Sequence, residues 1–482
     1  MAKFPTPSLL LFTLALLAAD APSMGIAQPA GSNESSAEFF LSVKQQRRLA
    51  VDQPTIASLR DLAQVFKSFP RARAIQLPPL SQEERNFLSQ NDDSEEMREK
   101  IGIDRELPQP VLLQSTPGAV PGSILAQGLV GTAPGGGLSW TIEIVSPGAT
   151  GLRVEFEPGQ LPEGGRIYVT DGQSEVYGPY TLGPEPTFSN TVFSSRIFVQ
   201  LQVPRGAALT GVSIRRIAHL VEPIEGLAVT GGPAANLTLA THCNLKQFCK
   251  PTSPVTNPTP EQSAFETATR GVARIIYKEG AGHYKCSGGL LADNTNSRTP
   301  FFLTANHCFN TQASATSLEA FFRYRKPCNG AVPKLSQVPR TLGSTLLATS
   351  GDTDFTLVQL SQTPPSDAHF FRWTSEDLSN STTPIFRVHH PHGYPMHKQT
   401  SRIRPVGGCK YRPKGRYIYS TPTDGGTAKG SSGSLVYRLN GNEPEVVGQL
   451  YGSCTSKGGC GYANVDGAFA MTFPKVRQYL VH

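Results

Sequence analysis

Phe301-Phe302-Leu303-Thr304-Ala305-Asn306-His307-Cys308 is a short, mostly apolar run that ends in a histidine beside a cysteine. A run of this length reads as a buried strand that delivers His307 at its end. Two further segments share its character. Asp354-Phe355-Thr356-Leu357-Val358-Gln359-Leu360 opens an apolar strand with an acid, and Gly430-Ser431-Ser432-Gly433-Ser434 sets a serine among glycines.

These residue types fit one chemistry. A serine hydroxyl is a poor nucleophile until a base accepts its proton. Histidine is the suitable base near neutral pH. A carboxylate behind the imidazole fixes its tautomer and stabilises the imidazolium. Glycines beside the serine let backbone N–H groups approach a substrate carbonyl, and Gly430 N–H and Ser432 N–H are the natural donors of an oxyanion hole. The chain order His, Asp, Ser is one of three in which this set occurs on unrelated folds. No cofactor or metal is called for.

The rest of the chain supports an exported, multi-domain β protein. At 482 residues two or three domains are expected. A hydrophobic fraction of 38% against 17% charged residues supplies real cores and argues against wholesale disorder. Forty-six glycines and 40 prolines favour a turn-rich, mostly β structure. The net charge of +7 is spread along the chain without a basic stripe, so no nucleic-acid partner is expected. Residues 1–27 read as a secretory signal peptide: Lys3, the apolar run Leu9 to Ala19, and a cleavage site at Gly25-Ile26-Ala27 or Ala19-Asp20-Ala21. That run is too short to span a bilayer, so no membrane insertion is expected. All eight cysteines lie between Cys243 and Cys460, which in an exported chain predicts disulfides within one domain. No paired CxxC spacing points to zinc.

Residues 28–120 read as a prosegment, partly helical or disordered, with helical texture at Leu62 to Phe66 and Glu83 to Phe87 and an acidic tract at 91–96. From residue 121 to 222 the period becomes two: Trp140, Ile142, Ile144; Leu152, Val154, Phe156; Ile197, Val199, Leu201, Val203. This predicts a small β-sandwich pro-domain. Residues 223–235, with Gly231-Gly232-Pro233, read as a linker, and residues 236–482 as the cysteine-bearing domain, with a closing helix over Phe473 to Leu480.

Taken together, the three segments resemble the marks of trypsin-like serine proteases. Thr304 to Cys308 looks like their TAAHC segment, Asp354 to Leu357 like DITL, and Gly430 to Ser434 like GDSGG. Cys286-Ser287-Gly288-Gly289-Leu290-Leu291 resembles their CGGSLI strand. The likeness is closer to the bacterial lysyl endopeptidase branch, through the Gly-Ser-Ser-Gly-Ser loop, His390-Pro391-His392-Gly393, Gly448-Gln449-Leu450, and the pair Cys243 and Cys249. The resemblance implies a mostly β protein: a double β-barrel protease domain, preceded by the prosegment and sandwich, with the active site between the barrels. It implies a triad of His307, Asp354 and Ser432, with Asp354 preferred to Asp352. It also implies disulfides Cys286–Cys308, Cys249–Cys328 and Cys243–Cys454, leaving Cys409 and Cys460 as the fourth pair. Expected partners are protein or peptide substrates and the chain's own propeptide, with the enzyme a monomer.

Two departures stand out. Ser431 occupies the place where most trypsin-like enzymes carry an aspartate that pairs with a freed N-terminus. Gly426 occupies the place that is acidic in trypsin. Asp466 and Asp424 are therefore the acids to consider for a pocket that selects Lys or Arg, with Lys429, Tyr451 and Gly452 at its rim and walls. His389, His390, His392 and His397 form a cluster that could hold zinc or copper, although the loop resemblance accounts for two of them. The alternative from another class is a catalytically inactive protease-fold binding or adhesion protein. A second is that residues 121–221 remain as a binding module for polysaccharide surfaces.

Overall fold

The computed structural model describes residues 74–89, 98–114, 119–221, 245–253, 255–405, 412–454 and 463–482. The proposed signal peptide, the texture at Leu62 to Phe66, the acidic tract and the linker lie outside the described residues.

Alternation builds the first domain. Strand β2 (Leu138–Val145) pairs antiparallel with β4 (Arg196–Val203), setting Trp140 opposite Leu201, Ile142 opposite Val199 and Ile144 opposite Ile197. All six are fully buried. Strands β3 (Gly151–Phe156) and β5 (Val212–Leu220) form part of a second sheet, whose Leu152, Val154, Phe156, Ile214 and Ile217 join the same core. The result is a two-sheet sandwich, and its apolar face is what the period of two predicts.

The sandwich begins earlier than the sequence reading places it. The 15-residue strand β1 (Glu99–Leu113) lies on the prosegment side of the expected boundary at residue 120 and pairs with β5. Its pairing jumps from Glu106–Arg216 to Val111–Ile214. Pro108 and Pro110 therefore sit in a bulge, where a missing N–H costs no ladder bond. Those prolines disguise the strand as irregular chain. The helical texture near Glu83 to Phe87 is a helix, Gln82–Ser89.

Strand β1 pairs on its other edge with β7 (Gly282–Leu291) of the following domain, through Ile103–Gly282 and Glu99–Lys285. One sheet thus runs from the sandwich into the next domain. That domain holds two sets of strands. The first comprises β6 (Val272–Glu279), β7, β8 (Phe301–Ala305), β9 (Glu319–Phe322), β10 (Ser344–Ser350) and β11 (Phe355–Leu360). The second comprises β12 (Pro384–His389), β13 (His397–Arg404), β14 (Tyr417–Asp424), β15 (Leu435–Asn440), β16 (Glu443–Ser453) and β17 (Asn464–Ala468). It closes into a barrel because β13 pairs with both β12 and β14. The closing helix spans Phe469–Leu480, four residues longer than expected at its start, with Phe469, Val476 and Leu480 buried. Disulfides Cys286–Cys308 and Cys249–Cys328 are present, and Cys454 is also disulfide-bonded. Cys243, Cys409 and Cys460 lie outside the described residues. No described helix is long and apolar enough to cross a membrane.

The contact between the sandwich and the first set of strands mixes apolar and charged groups. Ile101 packs with Ile276, Phe321, Tyr324 and Val338. Asp104 takes Lys278 at 2.7 Å and His283 at 2.8 Å. Glu319, fully buried, accepts from Asn190 Nδ2 (2.8 Å), Thr191 N–H (3.0 Å), Thr191 Oγ1 (2.7 Å) and Arg340 (3.2 Å). Burial alone would raise the Glu319 carboxyl. Arg340 and Arg153 outweigh that and hold it below the usual range. Removing one member of such a buried network leaves uncompensated charge. Glu319→Ala is expected to destabilise the full chain by about 3–5 kcal/mol, read as a shift in urea unfolding. A loss under about 1 kcal/mol, the scale of a surface pair, would show that the network is not closed as described.

Candidate active site

The His307–Asp354 pair follows from strand register. Strands β8 and β11 pair with Thr304 opposite Thr356 and Ala305 opposite Phe355. The residues just beyond β8 and just before β11 therefore meet at one end of the ladder. Asn306 N–H donates to the Asp354 carbonyl (3.0 Å) and His307 N–H to Asp354 Oδ1 (2.9 Å); His307 Nδ1 lies 2.8 Å from Oδ2. A carboxylate oxygen accepts, so this contact calls for a proton on Nδ1, the tautomer of the neutral imidazole that leaves the lone pair on Nε2. That Nε2 is buried without a hydrogen-bond partner.

Asp354 has a φ of +57°, a left-handed conformation that aspartate tolerates better than most residues. Gln449 holds it there. Its Nε2 donates to the carbonyls of Thr353 (2.7 Å) and Asp354 (3.1 Å), from the barrel to the first set of strands. A Cβ at Gly467 would lie 1.8 Å from Thr353 O, so the second barrel closes on this turn only through a glycine. Tyr451 sets its ring edge-on to His307, with centroids 5.6 Å apart. Asp352 faces away and pairs with Lys475 at 2.6 Å.

Ser432 sits in the turn between β14 and β15. It is fully buried, and its Oγ has no hydrogen-bond partner. Gly433, at φ +76°, lets the turn press against the strand that leads to His307: a Cβ there would meet Thr304 Oγ1 at 2.2 Å and Ala305 N at 2.8 Å. The Ser432 carbonyl accepts from Ser287 N–H (2.8 Å), and Ser287 Oγ donates to the Gly430 carbonyl (2.9 Å). The Lys429 carbonyl accepts from His392 N–H (2.5 Å). Because the peptide is planar and trans, Gly430 N–H points the opposite way. Neither Gly430 N–H nor Ser432 N–H donates to another described residue.

Neither acid considered for the specificity pocket presents an unengaged carboxylate. Asp466 is fully buried and takes Arg387 Nη2 on both oxygens, at 2.9 and 3.1 Å; burial pushes its carboxyl up. Asp424 is exposed and paired with Lys246. Gly426 is buried, Lys429 half-buried, and Tyr451 and Gly452 are buried on β16. Beside them runs a chain the sequence reading missed: Thr427 Oγ1 to Asn464 Oδ1 (3.1 Å), Asn464 Nδ2 to Gln399 Oε1 (2.8 Å), and Arg387 Nε to the same oxygen (2.9 Å). Its signal was Arg387 itself, a charge set among Ile385, Phe386 and Val388.

Among the described residues, His389, His390, His392 and His397 are not gathered as a metal-ligand group. Among the described residues, the one His, Cys, Asp or Glu group near enough to share an ion is Cys286, His307 and Cys308, and its two sulfurs are bonded to each other. His389, His390 and His397 are buried, and burial pushes their pKa values down, to about 3 for His390 and about 4 for His397. Their Nδ1 atoms meet Ser431 Oγ, the Tyr394 carbonyl and the Pro395 carbonyl.

The start of β1 reaches this region. Arg98 donates to the His307 carbonyl (3.2 Å) and pairs with Glu279. Glu99 lies 3.2 Å from His392 Nδ1 and 3.6 Å from Lys285 Nζ. Burial would raise the Glu99 carboxyl, but Lys285, His392 and Lys429 outweigh it and lower it to about 2.

A His–Asp pair lies on one set of strands and a glycine-flanked serine on the other. Residues 239–466 match the family described as "Lysyl endopeptidase, C-terminal domain". The chain is 23% identical over 266 residues to the lysyl endopeptidase of Pseudomonas aeruginosa, a match covering 53% of this chain and 55% of that protein. It thus spans about half the length of that curated relative. Similar solved structures include the active form of the Rv3671c protease from M. tuberculosis, at 14% identity and TM-score 0.32 over 48% of this chain and 92% of that one. Another is the serine endoprotease from Yersinia pestis, at 15% identity and TM-score 0.32 over 47% and 68%.

If Asp354 fixes the imidazole as described, Asp354→Asn will keep the fold and lower kcat by about ten-thousand-fold, the size seen for a wrong-tautomer histidine. Peptide hydrolysis beside a thermal melt checks this. A loss below about tenfold would remove Asp354 from the site.

Proposed function

We propose that this chain is the precursor of an exported serine endopeptidase that hydrolyses peptide bonds through an acyl-enzyme. The observation that carries the reading is the buried His307 imidazole, held by Asp354 on Nδ1, with its Nε2 and the Ser432 Oγ both left without partners. In this reading His307 takes the Ser432 proton as Oγ attacks the substrate carbonyl. The oxyanion is received by Gly430 N–H and Ser432 N–H. His307 then protonates the departing amine, the acyl-enzyme forms, and water repeats the sequence in reverse roles.

Export rests on the composition of residues 1–27. The precursor reading is supported by the start of β1: Arg98, just before it, donates to the His307 carbonyl, and Glu99 meets Lys285 and His392. The lowered Glu99 pKa makes this docking strongest above the ordinary carboxyl range near 4.5 and weaker as pH falls toward 2.

The resemblance also implies cutting after Lys or Arg. That preference needs a carboxylate able to meet a substrate cation. Asp466 is neutralised by Arg387 and Asp424 is on the surface with Lys246, so we expect no strong basic preference.

Digestion of a mixed peptide library by the mature protein, beside Ser432→Ala, tests both points. Cleavage should vanish in the variant, and kcat/KM for Lys at the cut should stay within about tenfold of Gln, as for a pocket that lacks an unpaired charge. A preference of about a thousandfold for Lys, lost in Asp466→Asn, would overturn the specificity reading. Absence of Ser432-dependent cleavage would overturn the enzyme reading in favour of a protease-fold binding protein.

A further inference from the structure

Ser431 stands one residue before the nucleophile and is fully buried. Its Oγ accepts the Ala428 N–H (3.1 Å) and lies 2.8 Å from His389 Nδ1. Its backbone joins the same turn: Ser431 N–H donates to Ala428 O (2.9 Å), and Ser434 N–H donates to Ser431 O (3.0 Å). His389 is the last residue of β12, so the strand delivers its ring beneath the turn. Burial keeps that ring neutral, with His397, Arg387 and His390 adding to the effect. A neutral imidazole against a hydroxyl is a hydrogen bond between uncharged groups and needs no counter-ion.

The neighbouring contacts make a set. His392 N–H holds the Lys429 carbonyl, Ser287 Oγ holds the Gly430 carbonyl, His389 holds the Ser431 hydroxyl, and Ser287 N–H holds the Ser432 carbonyl. Ser287 Oγ is itself fixed by His390 N–H at 3.0 Å. Each of four consecutive residues is tied down, two by strand β7 and two by the His389–His392 segment. The two N–H groups assigned to the oxyanion hole belong to the peptides so held.

We infer that His389 is a positioning residue which, through Ser431, holds the oxyanion-hole turn in its working shape in place of the charge pair that a freed N-terminus makes in most trypsin-like enzymes. This rests on the endopeptidase reading above. The hole donors stabilise charge that develops in the transition state, so loosening them lowers kcat more than it raises KM.

The test is steady-state kinetics of the mature secreted enzyme and four variants. His389→Ala is expected to lower kcat by about a hundred- to a thousandfold, the scale of one lost oxyanion donor, with KM changed less than about threefold. His389→Asn, whose amide can occupy the place of Nδ1, should recover at least about tenfold of that loss. Ser431→Ala should fall by the same order, and the double variant should lose no more than either single one. If His389→Ala does not fold, Ser431→Ala and His389→Asn decide. Full kcat in Ser431→Ala, additive losses in the double variant, or a defect confined to KM would overturn the inference. Absence of Ser432-dependent cleavage in the unaltered enzyme would instead overturn the endopeptidase reading.

Discussion

A carboxylate taken out of water must have its lone pairs filled, and Asp354 is where this chain meets that demand. One oxygen takes the His307 N–H and the other takes the His307 ring. To present both oxygens in that direction the backbone adopts a left-handed turn. The turn must then be held, and Gln449 holds it by donating to two consecutive carbonyls. Gln449 belongs to the barrel, so the acid of the first set of strands is positioned only when the two sets are packed together. Gly467 follows from the same requirement, since nothing larger leaves room for Thr353 O. Site and domain packing are consequently one construction. Loosening the seam between the two sets of strands would displace His307 as surely as changing it.

What was legible in the sequence was whatever is local. His307, Asp354 and Ser432 each carry a short flanking pattern that survives without knowledge of the fold, and the strand alternation around Trp140 and Ile197 is a property of neighbouring residues. What was not legible depends on partners far along the chain. Asp466 reads as an acid near a pocket; only the fold shows that Arg387, 79 residues upstream, has taken it. Gln449 reads as part of a family-like tripeptide, and its two carbonyl acceptors lie some 95 residues away. Strand β1 was hidden for a different reason. Two prolines break the local rule for a strand, and the bulge that excuses them exists only in the pairing with β5.

The serine turn repeats the theme with uncharged groups. Where an aspartate would need a cation, Ser431 needs only an imidazole and one backbone N–H. The turn is shaped by strands already present in the barrel. The contacts that hold this turn come from His389, His392 and Ser287, all within the same domain. The sandwich contacts it from outside, through Arg98 and Glu99.

Strand β1 is shared property, hydrogen-bonded to the sandwich along one edge and to β7 of the following domain along the other. Cutting the connecting chain after residue 221 breaks a covalent tether but none of these ladder bonds, nor the Glu319 and Asp104 networks beside them. Two separate polypeptides would remain clasped, and their parting would be governed by a dissociation rate rather than by the cut itself. The domain that emerged would then carry a bare sheet edge at residues 282–285, a short template open to any other extended chain.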